Sequence, residues 1–203
     1  MYNKNYRYKD KDMQDRKQPK VNYTGKTLIS TSYMASDCYN QALVYVCGHD
    51  KDGAMGLVIN KPIPNLTIAS LLKKLRIMFT TDIHDISLLF GGPSEVTRGF
   101  ILHSNDYMVQ DSHHISSNVA ITSTVDLLKT SLYDTPPKHL LMCLGCVIWG
   151  KDDLEDQIAA HMWIPMQTNE EILFSHDHQS KWKKFLQTTG ANSNILLDNT
   201  GYV

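Results

Sequence analysis

The chain has 203 residues, with 20 basic and 21 acidic side chains and a formal charge of −1. Such near-neutrality excludes a histone-like or ribosomal nucleic-acid binder, whose phosphate contacts need a basic excess. The longest strongly apolar stretch without a charge, Leu140–Trp149, spans ten residues where a membrane helix needs roughly twenty, and the opening Met1-Tyr-Asn-Lys-Asn-Tyr-Arg-Tyr-Lys has no apolar run of a secretion signal, so a soluble, cytoplasmic globular protein without a membrane partner is expected.

Charge is unevenly placed. Met1–Lys20 holds seven basic and three acidic residues, net +4, and the remainder carries −5. Those twenty residues contain no Leu, Ile, Val or Phe, which leaves little to offset chain entropy. Residues 1–22 are therefore expected to be a disordered basic tail, ahead of one domain over 23–203. Tyr2, Tyr6 and Tyr8 would suit stacking on single-stranded nucleic acid, but Asp10, Asp12 and Asp15 dilute that arm. Nucleic acid is unexpected for the acidic body and conceivable only through the tail.

From Thr27 onward, short apolar runs alternate with turn signals. Gln41–Cys47 and Met55–Asn60 read as strands, and Asp52-Gly53 between them is a strong hairpin signal. Ile68, Leu71, Leu72 and Leu75 fall at i, i+3, i+4 and i+7, one helical stripe over 65–75 that Asn65 or Thr67 can cap. Ile86–Phe90 and Gly99–Ser104 read as strands linked through Gly91-Gly92-Pro93, and Val119–Thr122 as another. Ser123 with Asp126 resembles a capping box for a short helix through Leu127 and Leu128. Lys138–Leu144 is a buried strand, Lys151–Trp163 a helix with an acidic first turn, Glu171–Phe174 a last strand, and Ser180–Thr189 a basic helix that Gly190 ends. Interspersed strands and helices without a regular βαβ period make this α+β, a single domain with several flanking helices.

Cys143-Leu-Gly-Cys146 is the first candidate for chemistry. A low-pKa Cys-x-x-Cys thiolate sits at a helix start, whereas this pair ends an apolar strand. Residues three apart on a strand face opposite sides, so the two sulfurs meet only if Gly145 makes a turn. Small buried thiols are the simpler reading. Cys38 and Cys47 lack zinc-knuckle spacing, and His113-His114 and His176-x-His178 read as loops. Asp50-Lys-Asp52-Gly53 imitates the start of a calcium loop without its closing glutamate. Ser70-x-x-Lys73 matches an acyl-enzyme motif by letter alone, with no Lys-Thr-Gly strand after it. No metal, no cofactor and no catalytic residue is assigned.

Two glycine-bearing segments remain, Gly53-Ala-Met-Gly56…Asn60-Lys61-Pro62 and Gly91-Gly92-Pro93…Arg98-Gly99-Phe-Ile-Leu-His103. Asn60, Lys61, Arg98 and His103 lie near strand ends, where their polar groups could converge on a small anionic or carbonyl ligand. The competing reading is that each serves a turn or cap, and that His103 is a hydrogen-bonded core histidine.

These blocks, with Thr27-Leu-Ile-Ser30, Ala42-Leu-Val-Tyr45, His49, Leu144-Gly145, Trp149, Leu154-Glu155 and Trp163, resemble the AlgH (YqgE) family of bacterial proteins over about 27–174. The resemblance implies a bacterial cytoplasmic protein whose mixed β-sheet is partly curled into a barrel-like shape. It implies a regulatory association, from which the family is named, and supplies no catalytic set. Two departures stand out. Gly48 replaces the glutamate usual before the histidine at 49, so a carboxylate–histidine pair there would be lost, and Cys146 replaces an aromatic residue.

Two classes of function follow. The first is a non-enzymatic regulatory or interaction protein with a protein or small-molecule partner. The second is a small-molecule sensor or enzyme built on Asn60, Arg98 and His103, with Arg98 gripping an anion and His103 moving a proton. Redox or metal work at Cys143 and Cys146 is a third and weaker line.

Overall fold

The structure, a computed structural model, describes residues 21–34, 36–74, 76, 87–123 and 137–188. Nearly all of the expected tail, and the expected helix around Leu127 and Leu128, lie outside the described residues. The Asp-Gly hairpin forms as its residues dictate: β2 (Leu43–Asp50) and β3 (Gly53–Val58) run antiparallel and close at Asp50 opposite Gly53, whose φ is +140°. Around it stand β1 (Lys26–Ser30), β4 (Pro62–Thr67), β5 (Ser87–Phe90), β6 (Ser94–Ser104), β7 (Ser112–His114), β8 (Val119–Thr122), β9 (Leu140–Trp149) and β10 (Trp163–Gln167). The helices are α1 (Ile68–Lys74), α2 (Asp153–Ala159), α3 (Glu170–Phe174) and α4 (His178–Thr188).

Strand order is β10-β1-β2-β3-β9-β6-β8-β7, with β5 parallel to β9 and β4 antiparallel to β5. The sheet is thus mixed, and it curls into a half-barrel flanked by helices: one α+β domain. Both faces of its centre are buried, which is why the central strands are continuous apolar runs. On β2, Leu43 and Tyr45 enter a core covered by Leu173 and Phe174 of α3 and Trp182, Phe185 and Leu186 of α4. Val44 and Val46, one residue out of phase, enter a second core with Trp149, Leu154 and Trp163.

Strand β9 joins the halves of the sheet. Its first part pairs with β6 and β5, and its last three residues pair with β3. Gly145, at φ +74°, interrupts the alternation between these parts. The turn that would bring the two sulfurs to one side is therefore present, and Cys143 and Cys146 both face the first core. Across this break passes the Gly91-Gly92 backbone: Gly91 N donates to Leu144 O at 2.8 Å, and Val58 N donates to Gly91 O at 2.8 Å.

Four elements differ from expectation. Pro62 and Pro64, read only as helix barriers, lie in β4, an edge strand, the place where a sheet tolerates proline. Thr67 then caps α1 reciprocally with Ser70, Ser70 N donating to Thr67 Oγ1 and Thr67 N to Ser70 Oγ. The helix expected through Trp163 stops at Ala159 because His161 turns left-handed (φ +58°), and Trp163 opens β10 against β1. Glu171–Phe174 is helix α3, not a strand, since the Asn169 side chain accepts from Ile172 N and acidic residues fill the first turn. The buried strand expected to end at Leu144 continues to Trp149.

A Cβ at Gly91 would lie 2.2 Å from Gly145 O, whereas one at Gly48 meets nothing within 4 Å. Gly91→Ala is expected to cost about 1–3 kcal/mol or more, or to prevent folding, while Gly48→Ala stays within about 0.5 kcal/mol of wild type. Urea unfolding of both variants checks the contrast.

Candidate functional site

Asn60 and Lys61 leave the end of β3 and are both spent on one turn. Asn60 is buried; its Oδ1 accepts from Leu43 N at 2.9 Å and its Nδ2 donates to Gln41 O at 2.8 Å. Lys61 Nζ donates to Asn40 O. Together they hold the start of β2, where Gln41 sits at φ +52°. Their polar groups point at backbone.

Arg98 and His103 share β6 without sharing a site. Five residues of strand separate them by roughly 16 Å. Arg98 Cζ lies 5.1 Å over the Phe100 ring, on the face that Phe100 and Leu102 share, whereas His103 follows the opposite parity with Ile101. Arg98 is half-exposed, paired to Glu95 at 3.0 Å and donating to Ser123 Oγ at 3.2 Å. His103 is completely buried: Nδ1 donates to Ser104 O at 2.9 Å, and Nε2 meets Thr122 Oγ1 at 2.9 Å. Burial pushes its pKa below the ordinary value. The four strand-end residues therefore do not converge.

The carboxylate–histidine pair expected to be lost is present through another partner. His49 Nε2 lies 3.1 Å from Oε1 of Glu155 on α2, Nδ1 accepts from Tyr23 N at 3.2 Å, and the Tyr23 ring stacks on the imidazole at 5.5 Å. The long sequence separation hides this pair from local inspection. Cys143 and Cys146 are buried, and burial raises their pKa to about 12 and about 11. Thiols of that kind are inert at neutral pH. No group of three or more His, Cys, Asp or Glu positioned to hold a metal ion occurs among the described residues.

Sequence reasoning missed Lys181. Read as one cation of a basic helix, it is fully buried, its Nζ donating to Ile59 O at 3.0 Å and Leu173 O at 2.7 Å. Burial brings its pKa from 10.5 to about 7. His178 and Trp182, on the same face of α4, are buried as well, and His178 Nδ1 and Trp182 Nε1 have no hydrogen-bond partner among the described residues. The available signal was the spacing of His178, Lys181, Trp182 and Phe185, which puts a lysine inside the apolar stripe.

Because the Lys181 amine loses its proton at about pH 7 when folded but only near 10.5 when unfolded, the unfolded state binds more protons between about pH 7 and 8.5. Stability should rise with pH there, by about 2 kcal/mol, before the unfolded thiols ionise while the buried Cys143 and Cys146 stay protonated and reverse the trend. Lys181→Met should remove that slope; urea unfolding measured across the window reads it directly.

The AlgH-like family model matches residues 27–194. A UPF0301 protein of Cereibacter sphaeroides is 37% identical over 183 residues, covering 90% of this chain and 100% of its own length. Another, from Erwinia tasmaniensis, is 35% identical over 179 residues, covering 86% and 96%. The solution structure of the AlgH protein from Pseudomonas aeruginosa superposes with a TM-score of 0.73 at 26% identity, covering 93% of this chain and 100% of that one. A Corynebacterium diphtheriae protein shares the fold at 11% identity, with a TM-score of 0.69 over 92% of this chain and 95% of that one. With the family model matching residues 27–194, a span that takes in nearly all of the described sheet and the C-terminal helices, the chain belongs to the AlgH-like family.

Proposed function

We propose that the protein is a non-enzymatic regulatory or interaction protein of the bacterial cytoplasm, acting on a partner through its surface. The observation that carries this reading is how its strand-end polar groups are occupied. Asn60, Lys61 and His103 each spend their hydrogen bonds within the chain. Arg98, half-exposed, is likewise bonded within the chain, to Glu95 and Ser123, beside a segment that leaves the sheet. Between Ser94 opposite Cys146 and Gly99 opposite Leu144, β6 bulges away from β9. Val96 on that bulge and Ile148 on β9 are each 54% exposed, two large apolar side chains open to a partner.

Arg98→Gln should leave the phenotype of a gene-deletion strain fully complemented, because the arginine is not part of a reacting centre. The double variant Val96→Asp/Ile148→Asp should fail to complement while keeping stability within about 1 kcal/mol, since both positions are exposed. Complementation by the double variant together with loss through Arg98→Gln would refute the reading and favour the ligand-gripping alternative.

A further inference from the structure

The hydrogen bonds around His103 have only one consistent polarity. A carbonyl can only accept, so His103 Nδ1 carries the proton shared with Ser104 O at 2.9 Å. In the neutral imidazole Nε2 is then an acceptor, and the Thr122 hydroxyl, 2.9 Å away, donates to it. Thr122 has no second proton, so Ser112 Oγ, at 2.7 Å, must donate to Thr122 Oγ1. Val109 N supplies the last bond, donating to Ser112 Oγ at 3.0 Å. The line thus runs from the half-buried Ser112 on edge strand β7, through the fully buried Thr122 of β8, to the fully buried His103 of β6.

We propose that this line is a proton relay that makes Ser112 a nucleophile, and that Ser112 is a covalent modification site for activated acyl groups such as thioesters or acyl phosphates. In the step, Ser112 Oγ forms a bond to the acyl carbon and the bond from that carbon to the leaving group breaks. The Ser112 proton moves to Thr122 Oγ1 as the Thr122 proton moves to His103 Nε2, and the imidazolium then returns its Nε2 proton to Thr122 Oγ1 as the Thr122 proton passes to the leaving group beside Ser112. No electrons change hands. Burial, the largest influence, lowers the His103 pKa and keeps the ring neutral at rest; the Ser104 carbonyl and Asp106 favour the imidazolium, and His114 opposes it. The assignment goes beyond the surface-interaction reading and stands apart from it: acylation would give such a protein a chemical state, yet either can fail alone.

p-Nitrophenyl acetate is the probe, with acetylated residues located by mass spectrometry of the full-length protein. Wild type should be acetylated at Ser112, Ser112→Ala should lose that site, and Thr122→Val should react about a hundred-fold more slowly, the lower range of general-base assistance. The wild-type rate should be level above about pH 7, where the imidazole is neutral, whereas an unassisted serine would gain about ten-fold per pH unit with hydroxide. Absence of Ser112 acetylation, or equal rates in Thr122→Val, overturns the proposal. Should Thr122→Val not fold, nitrogen NMR of wild-type His103 decides: the Nδ1-H tautomer supports the relay, and the Nε2-H tautomer overturns it.

Discussion

Where the Gly91-Gly92 backbone crosses β9, two stretches of main chain approach too closely for any side chain. Cβ atoms at Gly91, Gly92 and Gly145 would lie 2.2, 2.3 and 2.4 Å from opposing backbone atoms. Everything at the centre of the molecule depends on that contact. It lets Gly91 accept from Val58 on β3 and donate to Leu144 on β9, so the two halves of the sheet meet through a loop as well as through β9. It coincides with the break at Gly145, which turns Cys146 into the same core as Cys143. Backbone packed this tightly satisfies its polar groups internally.

The same constraint explains why the polar residues beside the glycines are bound up in structure. A strand that ends under a crossing must turn sharply, and Asn60 and Lys61 hold that turn by bonding Leu43, Gln41 and Asn40. Trp149 and Trp163 are tied by a similar economy, both indole N–H groups donating to Gln157 Oε1, at 3.0 and 2.8 Å. One glutamine thereby joins β9, α2 and β10. Such residues are fixed by the fold as firmly as catalytic residues are fixed by chemistry, and a short motif does not separate the two causes.

Legibility in the sequence followed the range of the interactions. The β2–β3 hairpin, the α1 stripe and the basic α4 helix are set by local signals, turn chemistry and periodicity, and were readable. The β4 and β10 strands are not, because their pairing with β5 and β1 is long-range and their prolines mimic breakers. Helix α3 was misread because four apolar or acidic letters fit a strand as well as a helix, and the Asn169 cap decided between them. At the candidate site, the parity of Arg98 and His103 was in principle countable along β6, while Glu155 beside His49 and the buried Lys181 depend on how α2 and α4 dock. The outline of the family was visible in its glycine blocks; their purpose became visible only with the crossing.

Hydrogen exchange of the native protein at single-amide resolution tests the crossing most directly. The amides of Val58, Gly91 and Leu43, bonded to Gly91 O, Leu144 O and Asn60 Oδ1, should exchange only through global unfolding, with protection equal to that of the most protected core amides. Exchange of these three through local opening, at markedly lower free energy than the amides in the middle of β9, would contradict the account.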